Sequence, residues 1–322
     1  MANTRTIDDP RTPSALQAAN LYYLQDLTMD AIAAELRTSR SSVSRLLTFA
    51  RESGLVEITV HSPLDHGSQL EDEVRRRFKI SAHVVPMPEG ISEIDRLERV
   101  AMAAGRIIPT FIDSNMIVGL AWGSTLSAIS RHVVARETHN TIVVQMNGAG
   151  SPMSTGIEYA SEILQRFATA LSAQSQQFPV PAFFDDPATK AAFWRERSTR
   201  RTLDLINKMD VAVFGLGSPF AEVPSHVYIG GYLDRADYAS LSHDKVVGDI
   251  ATVFFRADGS WRDIELNARA TGPDFARMKR VARRVCVVSG PQKLASLRGA
   301  LATGLITDLI MDATLAQALI ES

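Results

Sequence analysis

Beyond Ile80 the sequence alternates short apolar runs with amphipathic stretches, and this rhythm restricts the fold more than any other feature. The apolar runs lie at 83–85, 116–120, 141–146, 211–216, 250–255 and 285–289. Helical periodicity fills most of the gaps, at 93–111, 126–134, 156–173, 199–209 and 292–302. Strands that are apolar on both faces, separated by helices, predict a Rossmann-like α/β domain with a mostly parallel, doubly covered sheet. Ligands of such sheets bind beyond the carboxyl ends of the strands, so the loops there become the candidate site.

The run at 116–120 leads into Ala121-Trp122-Gly123-Ser124-Thr125-Leu126 and then a helix. Glycine lets the backbone turn close to a ligand, and the Ser and Thr hydroxyls with the first helical N–H groups form a phosphate cradle. An ordinary glycine turn with a hydroxyl cap is the plain alternative. The run at 141–146 carries Gln145 and ends in Asn147-Gly148-Ala149-Gly150. The run at 211–216 ends in Gly217-Ser218. Gly215-Leu216-Gly217 lacks the third glycine of a dinucleotide fingerprint, and no acidic residue follows at the required distance, so no nicotinamide cofactor is expected, nor any other. Gly248-Asp249 opens another strand, where the carboxylate either meets a sugar hydroxyl or sits in a solvated turn. Lys293 falls in the first turn of a helix, where its charge opposes the helix dipole; either an anion lies nearby or the lysine is simply solvated.

Residues 14–62 read differently. Leu16, Tyr23, Leu24 and Leu27 recur at helical spacing, Thr28 caps a second helix over 29–36, and a third runs over 40–52 with Val43, Leu46, Leu47 and Ala50 on one face. Two short helices with a tight turn, a small Ala33 at their crossing and Val43 facing back predict a helix-turn-helix. The alternation over 54–60 adds a wing strand after Gly54. Ser41, Ser44, Arg45 and Thr48 point away from the core as groups that reach base edges and phosphates, flanked by Ser42, Arg40 and Arg37. Arg37 stands where the turn usually has glycine in a left-handed conformation. A helical bundle with an amphipathic surface and no nucleic-acid role is the alternative.

The 322 residues provide for both domains, and net charge is only −2, so no overall basic excess advertises a nucleic-acid partner. Local charge does: Arg37, Arg40, Arg45 and Arg51 face only Glu52. Residues 1–13 read as a disordered lead-in without a secretory signal, and residues 63–322 as the effector domain. A helix over 68–78 carries the stripe Leu70, Val74 and Phe78, which either couples two subunits or lies on its own domain. No apolar run approaches the roughly 20 residues of a membrane helix. The single Cys286 sits in an apolar run, which excludes an internal disulfide and fits a cytoplasmic location.

With both halves read, the chain resembles the SorC/DeoR-like family of sugar-binding transcriptional regulators. The resemblance rests on Asp30-Ala31-Ile32-Ala33, on Ser39-Arg40-Ser41-Ser42-Val43-Ser44-Arg45-Leu46-Leu47, on Gly119-Leu120-Ala121-Trp122-Gly123-Ser124-Thr125-Leu126, and on Val247-Gly248-Asp249-Ile250. It implies a fold like that of sugar-phosphate isomerases and deaminases, double-stranded operator DNA as partner, a phosphorylated sugar or polyol effector, and homotetramers. By the resemblance, Gly123, Ser124, Thr125 and Lys293 would hold the phosphate, with Gln145, Asn147, Gly148 and Asp249 facing the sugar. Leu126, Gly217 and Ser218 belong to the same loops.

The rival reading is an enzyme of sugar phosphates, since fold alone does not decide function. Such chemistry requires an acid and a base at the sugar. The seven histidines are scattered, none in a candidate loop beside a carboxylate, and no Cys/His cluster has metal-ligand spacing. No catalytic residue and no metal is therefore expected. A scaffold whose α/β domain only oligomerises is the third reading.

Overall fold

The computed structural model describes residues 9–25, 27–56, 66–219 and 225–322. The chain divides between residues 65 and 66 into two compact units.

The first unit begins with α1 (Thr12–Ala19), so the lead-in expected through Pro13 is shorter than read. Proline at a first helical turn is preorganised, and Arg11 pairs with Asp9 at 2.7 Å while lying 4.3 Å over the Phe49 ring. A π-helical turn, Asn20–Leu24, follows directly and adds a residue to the turn. This rotates the apolar row: Leu16 and Leu24 are 45% and 78% exposed, and Ala15, Ala18, Ala19 and Leu21 are buried instead. Of the expected core row, Tyr23 and Leu27 do pack against this core, whereas Leu16 and Leu24 do not. Thr28 caps α2 (Met29–Glu35), its hydroxyl accepting from the Ala31 amide, and Ser39 caps α3 (Arg40–Glu52). Ile32, Ala33, Val43, Leu47 and Ala50 close the core. The strand expected over 54–60 lies outside the described residues from 57 onward, although Gly54 itself turns the chain with φ 75°.

Arg37 adopts φ 50°, the left-handed conformation anticipated for a glycine site. A side chain there costs about 1–2 kcal/mol, while glycine would lose more chain entropy on folding. Arg37→Gly is therefore expected to stabilise the first unit by about 0.5–1 kcal/mol. A denaturant midpoint that stays put or falls would remove the strain argument.

The second unit opens with α4 (His66–Phe78), β1 (Ser81–Val85), α5 (Glu93–Ile107), β2 (Ile117–Leu120) and α6 (Ser124–Ser130). It continues with β3 (Ile142–Gln145), α7 (Ile157–Ala170), β4 (Gln174–Gln176), α8 (Pro187–Phe193), α9 (Arg197–Ile206) and β5 (Val211–Gly215). Then come α10 (His226–Ile229), α11 (Arg235–His243), β6 (Val246–Ile250), β7 (Val253–Arg256), α12 (Glu265–Arg269) and α13 (Phe275–Met278). The chain closes with β8 (Arg283–Val288), α14 (Leu294–Ala302), β9 (Asp308–Asp312) and α15 (Ala313–Glu321). Val74 of α4 is buried, with Leu70 and Phe78 packed beside it, so that stripe lies on its own unit.

Seven strands form one parallel sheet in the order β1-β9-β8-β5-β2-β3-β4. Alternate residues of a strand face opposite sides. Phe214, Cys286 and Met311 enter one core while Val213, Val285 and Ile310 enter the other. Residues 250–255, expected as a strand of this sheet, are instead split. Ala251 and Thr252 turn with φ 48° and 68°, and β6 and β7 form a separate antiparallel hairpin. The run is apolar because the hairpin packs on the core, with Phe254 and Phe255 both 0% exposed. Chain order runs outward through β2, β3 and β4 on one side and through β5, β8 and β9 on the other. The crevice therefore lies where β2 and β5 end, the switch point of such a sheet. Among the described residues no helix is long and apolar enough to cross a membrane.

Candidate functional site

At this crevice the Ala121 amide donates to the Val213 carbonyl at 3.0 Å, binding the end of β2 to β5. Gly123 then takes φ 145°, and a Cβ there would meet open space. The first N–H groups of α6 have no intrahelical acceptor. Thr125 packs on Gly215, where an added Cβ would lie 3.2 Å from its hydroxyl. One bond further, the Gly217 amide donates to the Asp249 carbonyl at 2.9 Å. A side chain on Gly217 would fall 1.7 Å from Asp249 Oδ1, so glycine is what admits the hairpin carboxylate here.

Asp249 is 4% exposed. Its Oδ2 accepts from the Thr252 amide at 3.2 Å, and the buried Tyr228 hydroxyl lies against the carboxylate as a further donor. Burial pushes its carboxyl up to about 6, against the lowering pull of that amide. Asn147 Oδ1 is buried and has no hydrogen-bond partner among the described residues. Buried polar atoms are nearly always satisfied, so this open acceptor asks for a donor. Lys293 ends a 3-10 turn, Pro291–Lys293, and its Nζ donates to the Leu216 carbonyl at 3.1 Å. Burial lowers the pKa of that amine, with Asp249 acting the other way.

Of the expected effector residues, Gly123, Ser124, Thr125, Leu126, Asn147, Gly217, Asp249 and Lys293 line one narrow cleft. It holds about 460 Å³ of space between atoms, its mouth included. Gln145, Gly148 and Ser218 do not line it. Gln145 spends its amide on the Asn147 carbonyl (2.8 Å) and on the Phe178 amide (3.1 Å). Gly148 donates to Thr271 at 2.9 Å, and a Cβ there would strike the Pro181 carbonyl at 2.1 Å. The Ser218 amide donates to the Ser225 hydroxyl at 3.1 Å. These residues shape the loops that carry the cleft.

Sequence reasoning missed Trp122, Ser225, His226 and Thr252, which also line it. Trp122 stacks on Tyr232 at 5.1 Å and donates to the Gly148 carbonyl at 2.7 Å. His226 lies 5.2 Å from the Tyr159 ring and 5.8 Å from Tyr232. A histidine therefore lines the cleft, although none lies in the candidate loops. It comes from α10, remote in sequence, and only the fold brings it there.

In the first unit, Ser41, Ser44 and Arg45 are exposed on α3, opposite the buried Val43, Leu47 and Ala50. Arg45 Nε rests on the Ser41 carbonyl at 3.3 Å. The Ser42 hydroxyl lies 2.9 Å from the capping Ser39 hydroxyl and is half-buried. Thr48 is half-buried and accepts from Arg51 at 3.4 Å. Arg37 and Arg40 are exposed, Arg40 at 3.9 Å from Asp30.

The fold and cleft define a parallel α/β ligand-binding unit preceded by a small helical unit. The sugar-binding domain family matches residues 62–321. The deoxyribonucleoside regulator of Bacillus subtilis (strain 168) is 30% identical over 98% of this chain and 99% of its own length. A solved domain of a "possible sugar-binding transcriptional regulator" from Arthrobacter aurescens TC1 is 52% identical, covers 81% of this chain and 100% of that domain, and superposes with a TM-score of 0.76. The full-length sorbitol operon regulator SorC from Klebsiella pneumoniae shares the fold over 96% of this chain and 98% of that one, at 23% identity and a TM-score of 0.72. The chain belongs to the SorC/DeoR-like family of sugar-binding transcriptional regulators.

Proposed function

We propose that α3 is the recognition helix of a winged helix-turn-helix within residues 14–62, and that the cleft binds a small sugar phosphate or polyol that sets operator affinity. The open acceptor Asn147 Oδ1, in the same cleft as the buried Asp249 carboxylate, carries the effector half of this reading, because sugar hydroxyls are the donors such an atom requires. Gly123, Ser124, Thr125 and Lys293 would take a phosphate, and residues 63–322 would also form the homotetramer in the cytoplasm. The hydroxyl-bearing, cationic face of α3 supports the DNA half, with Arg37, Arg40, Ser41, Ser42, Ser44, Arg45 and Thr48 as its contacts. Effector shifts operator affinity only through unequal binding to the two states of the regulator.

Operator titration with and without a panel of sugar phosphates tests both halves. Arg45→Ala is expected to weaken operator binding by ~1–3 kcal/mol with melting unchanged. Equal binding by this variant takes Arg45 out of the interface, and operator affinity indifferent to every compound that raises the melting point ends the coupling. His226 and Asp249, which both line the cleft, favour one other reading, catalysis on the bound sugar phosphate; turnover of a compound that binds would establish it.

A further inference from the structure

β4 is an edge strand, paired with β3 alone among the described residues, and it lines a groove together with α9. The groove holds about 990 Å³ of space between atoms. Thr199, Thr202 and Ile206 turn the inner face of α9 into the unit, which leaves Arg197, Arg200 and Arg201 exposed on the outer face, with Lys208 just beyond the helix end. Gln176 ties strand to helix, its amide donating to the Thr202 hydroxyl at 3.4 Å, so the wall is fixed. None of the four cations forms an ion pair among the described residues, although Asp204 lines the same groove. Other arginines of this unit do pair with carboxylates, among them Arg166 with Glu162, Arg256 with Asp244 and Asp263, and Arg269 with Asp237; what sets the groove apart is that its cations cluster on one helix face.

Four unpaired cations against one carboxylate, in a chain of net charge −2, concentrate positive field on one face. Guanidinium forks suit phosphate oxygens in pairs, and their row along a helix follows a line of phosphates better than a single point charge. A charged rim also protects a sheet edge from pairing with other chains. That role is met by charge of either sign, whereas a groove with four cations and one carboxylate selects for an anion.

We infer that the α9 groove seats the phosphate backbone of duplex DNA, as a second, sequence-independent contact in addition to that of α3. The inference rests on the proposed reading of the chain as a DNA-binding regulator. A contact of this kind adds affinity and salt dependence without adding base preference.

The test uses the full chain and a mixed-sequence duplex, across a series of salt concentrations. In Arg197→Gln/Arg200→Gln/Arg201→Gln, loss of three phosphate contacts lowers the slope of log K against log[salt] by about 2.7. The affinity gap between wild type and variant therefore narrows roughly 40-fold from 50 to 200 mM salt. Melting stays unchanged. An unchanged slope overturns the inference, and if the variant also self-associates, the cations only guard the edge. Arg45→Ala is run in parallel to separate the two readings. If it weakens binding while the triple variant keeps the wild-type slope, the groove contact falls alone. If the wild-type chain does not bind duplex DNA, both readings fall.

Discussion

Asp312→Ala is expected to destabilise the second unit by about 3–5 kcal/mol, which lowers its melting point on the order of 10 °C. Asp312 is 0% exposed at the end of β9. Its Oδ1 accepts from Arg96 Nη1 at 3.0 Å and from the Leu315 amide at 3.0 Å, capping α15. Its Oδ2 accepts from the Gly290 amide at 2.7 Å. The substitution would strand the Arg96 guanidinium, 10% exposed, with Glu93 at 3.3 Å as its remaining carboxylate. It would also orphan two buried amides, and an unsatisfied buried donor costs about 1–3 kcal/mol. Calorimetry of Arg96→Met/Asp312→Leu checks the cause, since removing both charges leaves neither uncompensated and should recover part of the loss. A single variant that melts within a degree of wild type would show that the pair is structurally idle.

Part of the site was legible in the sequence and part was not. Gly123, Gly217 and Lys293 stand where apolar runs stop, and the rule that ligands gather at strand ends was enough to pick them out. Asp249 was visible only as a Gly-Asp pair opening a strand. Its burial depends on the hairpin turn at Ala251 and Thr252, two left-handed residues that no local propensity favours. That turn is also why 250–255 looked like a sheet strand: apolar content reports burial, and the hairpin is buried without joining the sheet. β4 escaped notice because Gln174-Ser175-Gln176 has no apolar letter, as suits an exposed edge. β9 was overlooked although it is buried throughout, because its ends are the polar Asp308 and Asp312. In the head, the caps Thr28 and Ser39 and the inward Val43 were readable from local chemistry. The π turn at Asn20–Leu24 was not, since a shift of one residue leaves the composition unchanged while moving Leu16 and Leu24 to the surface.

Lys293→Met is expected to weaken binding of a phosphorylated effector by about 2–5 kcal/mol, at least ~30-fold, while leaving the corresponding unphosphorylated sugar nearly unaffected. The proposed phosphate role predicts this asymmetry because of how the amine is held. Gly290, fixed by Asp312, starts the turn that delivers Lys293 to the cleft. There its Nζ has only the Leu216 carbonyl at 3.1 Å as a hydrogen-bond partner, and no carboxylate pairs with it among the described residues. A half-buried ammonium in that state carries a desolvation cost that an anionic ligand would offset. Methionine keeps the length and apolar stem but removes the charge, so the ligand-free protein should melt at the same temperature or higher. Isothermal titration of matched sugar and sugar-phosphate pairs against both proteins reads the effect directly. The decisive quantity is the ratio of the two affinities. If wild type and variant prefer the phosphorylated compound by the same factor, the phosphate sits elsewhere. If neither protein prefers it, the effector is an uncharged polyol, and the amine serves only to hold the end of β5 against α14.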